Sequence, residues 1–452
     1  MATDFTKGKV TPELIRFTIP LVLGNLFQLL YNAVDSVIVG RYVGKEALAA
    51  VGTSNPLMTL VILFFNGITL GAGILIGNHY GAKDYKTLRR QISTTMLGGL
   101  AFALAVSVVF ILLAHPLFSL MQVEESVRDL AVSYMRIIFM GLVFTFMYNC
   151  FASILRAIGD SVGPLVFLVI SAVLNVLGDL VFVAWLGWGI RGAAFSTVLC
   201  EALSAVLCMI YIQKKEPVLR LGREWLVFDK SLFRTTVSYG WTSAMQQATV
   251  QLGKIGVQTI INTLGVSVMA AFTIVSRIDD MATIPQQNIG HAMTSFMAIN
   301  RGAGETGRMK EGFRKGVMIE MIYSLIIFAV ALIFARPLVA MATADESVIA
   351  QGVIYLRLIS FMYFLPGLTN VIQGFFRGIG DLKITLISSL TNMGVRVLAA
   401  AVLVFVFRMG MQAVPLACMA GWFAMLAAEV PLLLKILKDP QLRRPAARKK
   451  AL

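Results

Sequence analysis

Long apolar runs separated by short polar turns recur from one end of this chain to the other. Twelve of them can be marked, at 14–39, 53–78, 91–114, 131–153, 162–184, 190–212, 235–262, 268–298, 316–335, 350–373, 384–407 and 412–434. A helix crosses a bilayer with roughly 17–25 apolar residues. The pattern therefore predicts an all-α integral membrane protein of twelve transmembrane helices, with little chain left over for a soluble domain. The longest polar interruption, QKKEPVLRLGREWLVFDKS at 213–231, predicts a cytoplasmic linker. It separates an N-terminal six-helix bundle (1–212) from a C-terminal six-helix bundle with a basic tail (232–452).

The two halves repeat. Ala114–Phe144 aligns with Ala335–Leu365, an offset of 221, and the same offset places Asn149, Arg156, Gly159 and Asp160 on Asn370, Arg377, Gly380 and Asp381. With six spans per half, both copies enter the membrane from the same side, so the repeat is parallel rather than inverted. Internal duplication of this kind marks many transporters, whose halves move around a site between them.

Composition agrees: 58% of residues are apolar and 14% charged, with a mean hydropathy of +0.79, against about 45–50% and 25% in soluble domains. The net charge of +15 raises the question of an anionic partner. Its distribution answers it, because 28 of the 39 Lys and Arg residues fall in segments on one side of the twelve spans. That is the positive-inside bias, and it predicts a multi-pass protein of the plasma (cytoplasmic) membrane with both termini in the cytoplasm. The tail RRPAARKK is then an orientation and lipid-headgroup signal, and no nucleic-acid partner is expected. No cleavable signal peptide precedes the first span. The four cysteines lie within or at the ends of spans and are expected to be small core residues.

No HExxH, GxSxG, Walker A or CxxC pattern is present, so hydrolysis and ATP use find no support and no enzyme is expected. No cofactor is expected either. Transport must then draw on an ion gradient, which requires an ionisable site within the membrane, where a charged group is costly. Asp35 lies in span one with Gln28 and Asn32 on the same helix face, and Asp179 lies in span five with Asn175 one turn before it. Carboxylates flanked by amides suit a transported H⁺, through burial, or a transported Na⁺ held on oxygens at Asp35, Asn175 and Asp179. The residues leave that choice open. In the second half, Gln247, Gln251, Lys254 and Gln258 form a polar stripe along span seven. Arg277, Asp279 and Asp280 follow in span eight. Arg277 and Asp280 share a face and are the favoured pair, while Asp279 or Asp280 paired with Arg396 or Lys254 is the alternative.

These segments resemble the multidrug and toxic compound extrusion (MATE) transporters, in their bacterial branch. The resemblance is carried by Pro20 with YNAVDSVIVGRYVGKEALAAVG, by GNHYGAKD, ILRAIGD and LNVLGD, and by the second-half echoes NRGAGE and FFRGIGD. It implies two six-helix bundles forming a V-shaped cavity, and export of organic cations in exchange for H⁺ or Na⁺. It also implies a first-half coupling site at Asp35, Asn149, Asn175, Asp179 and Thr197. With the 221 offset, Asp35, Asp179, Asn175 and Thr197 fall on Gly256, Ala400, Arg396 and Cys418, so that site is not duplicated.

The sequence thus predicts a monomeric, ion-coupled antiporter that expels amphipathic, cationic drugs by alternating access, in contact with membrane lipid. A second-half polar or substrate site is expected among Gln28, Asn32, Gln247, Gln251, Lys254, Asp279, Asp280 and Arg396. Two other readings stay open: a lipid or lipid-linked oligosaccharide flippase, favoured by Lys254 and Arg396, and a membrane receptor or enzyme without transport.

Overall fold

The computed structural model describes residues 4–220, 222 and 226–438, and among these every regular element is helical. The first half comprises α1 (Val10–Tyr42), α2 (Lys45–Gly81), α3 (Tyr85–Leu120), α4 (Glu125–Met140), α5 (Leu142–Ala157), α6 (Val162–Asp179) and α7 (Gly189–Lys215). The second comprises α8 (Lys230–Ile261), α9 (Val266–Ala303), α10 (Thr306–Ile333), the short α11 (Ala335–Ala340), α12 (Glu346–Ser360), α13 (Phe364–Gly378), α14 (Leu382–Ala401) and α15 (Ala413–Lys438). All twelve predicted spans coincide with these helices. Two of them are bent pairs: α4 and α5 meet at 47°, α12 and α13 at 51°.

Eight helices and both bent pairs are apolar enough to cross a membrane. The other two spans, α8 and α9, have the length at 32 and 38 residues. They are the polar ones, because the Gln-rich stripe and Arg277–Asp280 interrupt their apolar runs. A polar span is stable in hydrocarbon only where its polar groups face protein or water.

The repeat is written into the backbone as well as the sequence. Helices α2, α3 and α4 start 221 residues before α9, α10 and α12. Both α6 and α14 end in a π-helical turn, Leu180–Trp185 and Val402–Val406. The wide turns close with matching bonds, Leu186 N to Val181 O (2.8 Å) and Phe407 N to Val402 O (3.1 Å). Gly187 then has φ +67°, and its counterpart Arg408 adopts +53° although it has a side chain. A non-glycine residue held there in both copies' geometry indicates that the turn is imposed by the fold rather than by glycine.

Helices in lipid gain little from burying apolar surface and pack through close backbone approach. Gly374 in α13 shows this: a Cβ there would stand 2.4 Å from the Gly290 carbonyl oxygen of α9. In α2, a Cβ at Gly71 would reach 2.8 Å from the backbone nitrogen of Gly240. Two helix starts, those of α3 and α12, are capped by aspartate side chains. Asp84 accepts from Thr87 N (3.1 Å) at the start of α3. Partial burial opposes its charge, yet the Thr87 bonds and the nearby charges of His79 and Lys86 hold its carboxyl below the ordinary value.

The chain divides into two compact units, one formed by residues 19–80 and 84–241, the other by 4–18, 81–83 and 242–438 of the described chain. The division therefore falls inside α8, at Trp241/Thr242, rather than in the polar stretch 213–231. The reason lies in hydrogen bonds: the described part of that stretch is strapped to α3. Arg89 Nε donates to Val218 O (3.1 Å), Val227 N to Ser93 Oγ (3.0 Å), and Arg90 pairs with Asp229 (3.2 Å). Residues 4–18 join the second unit through Arg308, which donates to Phe5 O (2.6 Å), Gly8 O (2.8 Å) and Glu13 (2.7 Å). The basic tail RRPAARKK lies outside the described residues.

Candidate ion-coupling site

Asp35 on α1 and Asp179 at the end of α6 come within hydrogen-bonding distance of each other in the first unit. Asp179 is 0% exposed and Asn175, one turn earlier, is 3% exposed. The local sequence LNVLGD explains how α7 reaches them. Gly178 has no side chain, and a Cβ there would lie 2.4 Å from Ser196 Oγ. Because α7 approaches that closely, Ser196 Oγ donates to Asn175 O (3.0 Å), while Asn175 Nδ2 donates to Ser196 Oγ (3.3 Å) and Thr197 Oγ1 (3.4 Å). Thr197 uses its own proton on Ala193 O (3.1 Å), so it offers the site only lone pairs.

The oxygens that remain are all acceptors. Asp35 Oδ1, Asn175 Oδ1 and both carboxylate oxygens of Asp179 are buried without a donor. Two bare carboxylates about 4 Å apart repel by about 4 kcal/mol even at an effective dielectric constant of 20. Such a pair is stable only with a proton between its oxygens or a cation among them.

Asn149 is placed less directly, since its amide donates to Thr145 O (2.8 Å) on its own helix. The Thr145 hydroxyl donates to Glu201 on α7. Tyr31 lies close to Asp35 and Tyr134 close to both aspartates, and Glu201 lies near the two tyrosines. Gln28 and Asn32 share the helix face of Asp35 by spacing but are exposed on this unit.

The second-half candidates scatter. Lys254 Nζ pairs with Asp280 (2.9 Å), so Asp280 takes the lysine and the favoured Arg277–Asp280 pair gives way to it. The reason is reach, since α8 and α9 bring both long side chains to one exposed spot. Arg396 stacks over the Trp422 ring at 5.0 Å. Asp279 lies near Arg396 and the Tyr363 hydroxyl. Gln247 is half-buried and Gln251 exposed, and Gln258 donates to Asn262 (2.7 Å).

Three carboxylates escaped the sequence reading: Glu201, Glu320 and Glu429. Glu320 and Glu429 are 0% exposed in the second unit. Each is a lone acid in an apolar run, the same signal that singled out Asp35 and Asp179.

The sequence profile of the MatE family matches residues 20–181 and again 243–406, one copy in each half. The chain belongs to the MatE family. Among its relatives, the "Probable multidrug resistance protein YoeA" of Bacillus subtilis is 29% identical over 406 residues, covering 88% of each chain. The "Probable multidrug resistance protein YpnP" of the same organism is 28% identical, covering 86% of this chain and 87% of its own. A solved structure of a MOP superfamily transporter from Pyrococcus furiosus superposes with a TM-score of 0.88 at 21% identity, covering 97% of this chain and 99% of the other. That likeness shows the fold of this MatE protein to be all-α and multi-pass, built from two repeats. It is not an enzyme, since the family consists of transporters.

Proposed function

We propose that this MatE protein is an ion-coupled antiporter that expels amphipathic organic cations in exchange for H⁺ or Na⁺. It works as a monomer in the cytoplasmic membrane, with both termini inside, 213–231 as the cytoplasmic joint and lipid as its surroundings. The observation that carries the reading is the donor-free oxygen cluster of Asp35, Asn175 and Asp179. With Thr197 and Ser196 it offers an ion acceptors only, and among the described residues no basic side chain forms an ion pair with either carboxyl. Asn149 belongs to the same proposed site, its amide donating to the Thr145 carbonyl on its own helix. The names of the Bacillus subtilis relatives support drugs as the exported cargo.

Coupling follows from differential affinity. The ion binds most tightly in the arrangement that brings Asp35 and Asp179 together, because there it relieves their repulsion. Moving an equilibrium from 1:99 to 99:1 takes about 5.5 kcal/mol of differential binding, the same order as that repulsion. Flippase activity would call for free basic side chains. Lys254 and Arg396 are instead engaged by Asp280 and Trp422.

Ethidium export from everted vesicles, with proton and sodium gradients imposed separately, tests the proposal. Wild type should export under at least one gradient, and Asp35→Asn, inserted at the wild-type level, should lose that export at least tenfold. Equal export by the variant would remove Asp35 from the mechanism. No export by wild type under either gradient would refute ion-coupled drug export.

A further inference from the structure

Glu320 stands in the middle of α10 with 0% exposure, and neither of its carboxylate oxygens has a donor. No charged partner lies within salt-bridge distance of it among the described residues. Around it the bend of span ten gathers polar side chains. At the bend between α12 and α13 the Tyr363 carbonyl keeps its helical bond from Gly367 N (3.3 Å) and also accepts from Gln286 Nε2 (2.9 Å) and Ser324 Oγ (3.2 Å). Gln286 also donates to Ser324 Oγ (2.9 Å), which leaves Gln286 Oε1 buried without a donor. All of these groups converge on one glycine. A Cβ at Gly367 would stand 2.8 Å from Ser324 Oγ, 3.0 Å from Gln286 Nε2 and 3.2 Å from Glu320 Oε2.

The repeat shows that the bend itself does not require these groups. Shifted by 221, Glu320, Ser324, Gln286, Tyr363 and Gly367 become Gly99, Ala103, Phe65, Leu142 and Phe146. In the first unit the Phe146 ring lies over Gly99, where a Cβ would come 1.8 Å from it, and meets Phe65 edge-on at 5.5 Å. The same bent span is thus closed by hydrocarbon in one unit and by unsatisfied oxygens in the other. Burying a carboxylate without donor or counter-charge costs several kcal/mol, a cost the alternative packing avoids.

We propose that Glu320 and Gln286, with Gln286 and Ser324 anchored on the Tyr363 carbonyl, form a second monovalent-cation site, for H⁺ or Na⁺, in the C-terminal unit. Bound there, a proton would sit on the carboxyl and supply the missing donor. A sodium ion would instead take the donor-free oxygens of Glu320 and Gln286. The titratable groups facing the site are Tyr323 on α10, Tyr363 at the bend, and Asp279 of α9 near the Tyr363 hydroxyl. The proposal rests on the ion-exchange reading and adds a second ion-binding step at a place unrelated by symmetry to Asp35 and Asp179.

Infrared difference spectroscopy of the full chain in lipid nanodiscs, with ¹³C in the glutamate carboxyls, separates the two sites by isotope. Unlabelled aspartate bands report Asp35 and Asp179; shifted glutamate bands report Glu320 and its like. In wild type a labelled protonated-carboxyl band should disappear when pH is raised without Na⁺, which assigns a proton, or when Na⁺ is added at constant pH, which assigns sodium. Glu320→Gln should lose one carboxyl's share of that band while the aspartate band persists. Gly367→Ala keeps the carboxylate but crowds it, and should shift the band's frequency. A glutamate band insensitive to both pH and Na⁺, or unchanged in both variants, overturns the second site. A silent aspartate band would instead count against the Asp35/Asp179 reading, whatever the glutamates do.

Discussion

Around Gly99 the first unit closes its bent span with the Phe146 ring stacked edge-on to Phe65, and around Glu320 the second unit closes the same span with carboxylate, amide and hydroxyl over Gly367. In each case a glycine on one helix makes room for a large group from another. The glycine and the large group have traded helices between the copies, so the volume is kept while the chemistry changes from hydrocarbon to oxygen. A second contrast runs the other way. Asp35, Asn175 and Asp179 form the oxygen cluster of the first unit, where the second has Gly256, Arg396 and Ala400. Backbone plan and ion chemistry have therefore diverged independently. Helix starts, π turns and bends follow the 221 offset, and the buried carboxylates do not.

Removing the aromatic closure in the first unit should show the largest structural effect. Phe146→Ala leaves a hole over Gly99. Lipid tails are as apolar as a core, so mainly the cavity part of the cost remains. At about 24 cal/mol per Å³ and roughly 100 Å³ of ring removed, that is about 2 kcal/mol. A lowered unfolding midpoint in lipid or mixed micelles checks it, and an unchanged midpoint would mean that the two closures are not equivalent. A smaller effect should separate the starts of α4 and α12. Asp345 caps α12 by accepting from Ser347 N (2.8 Å), and its counterpart Glu124 makes no such bond to α4. The Ser347 and Val348 bonds hold the Asp345 carboxyl below its ordinary value. A depressed carboxyl stabilises the fold above its unfolded-state value, and that stability is lost as pH falls through the folded value. Asp345→Ala should therefore lower the midpoint at neutral pH but not at strongly acidic pH, whereas Glu124→Ala should leave it unchanged at both.

The twelve spans were legible because bilayer thickness sets their length and the chain has little else. Asp35, Asn175 and Asp179 were legible as acids and amides at helical spacing in apolar runs. Glu201, Glu320 and Glu429 carried the same lone-acid signal without an amide one turn away. The groups around them come from other helices, as with Gln286 and Gly367 around Glu320, and sequence spacing does not record such contacts. The Lys254–Asp280 pair stood only as the alternative for the same reason, because spacing along α9 favoured Arg277. The division within α8 depends on the bonds strapping 218–229 to α3, which composition cannot show.

The central claim is that the Asp35/Asp179 pair binds the driving ion, and purified protein in proteoliposomes tests it most directly. With ethidium as cargo, proton or sodium uptake is measured alongside export for wild type and Asp179→Asn. Wild type should take up one of the two ions in step with ethidium leaving, and Asp179→Asn should lose both fluxes together. Wild-type coupling retained in Asp179→Asn would contradict the account.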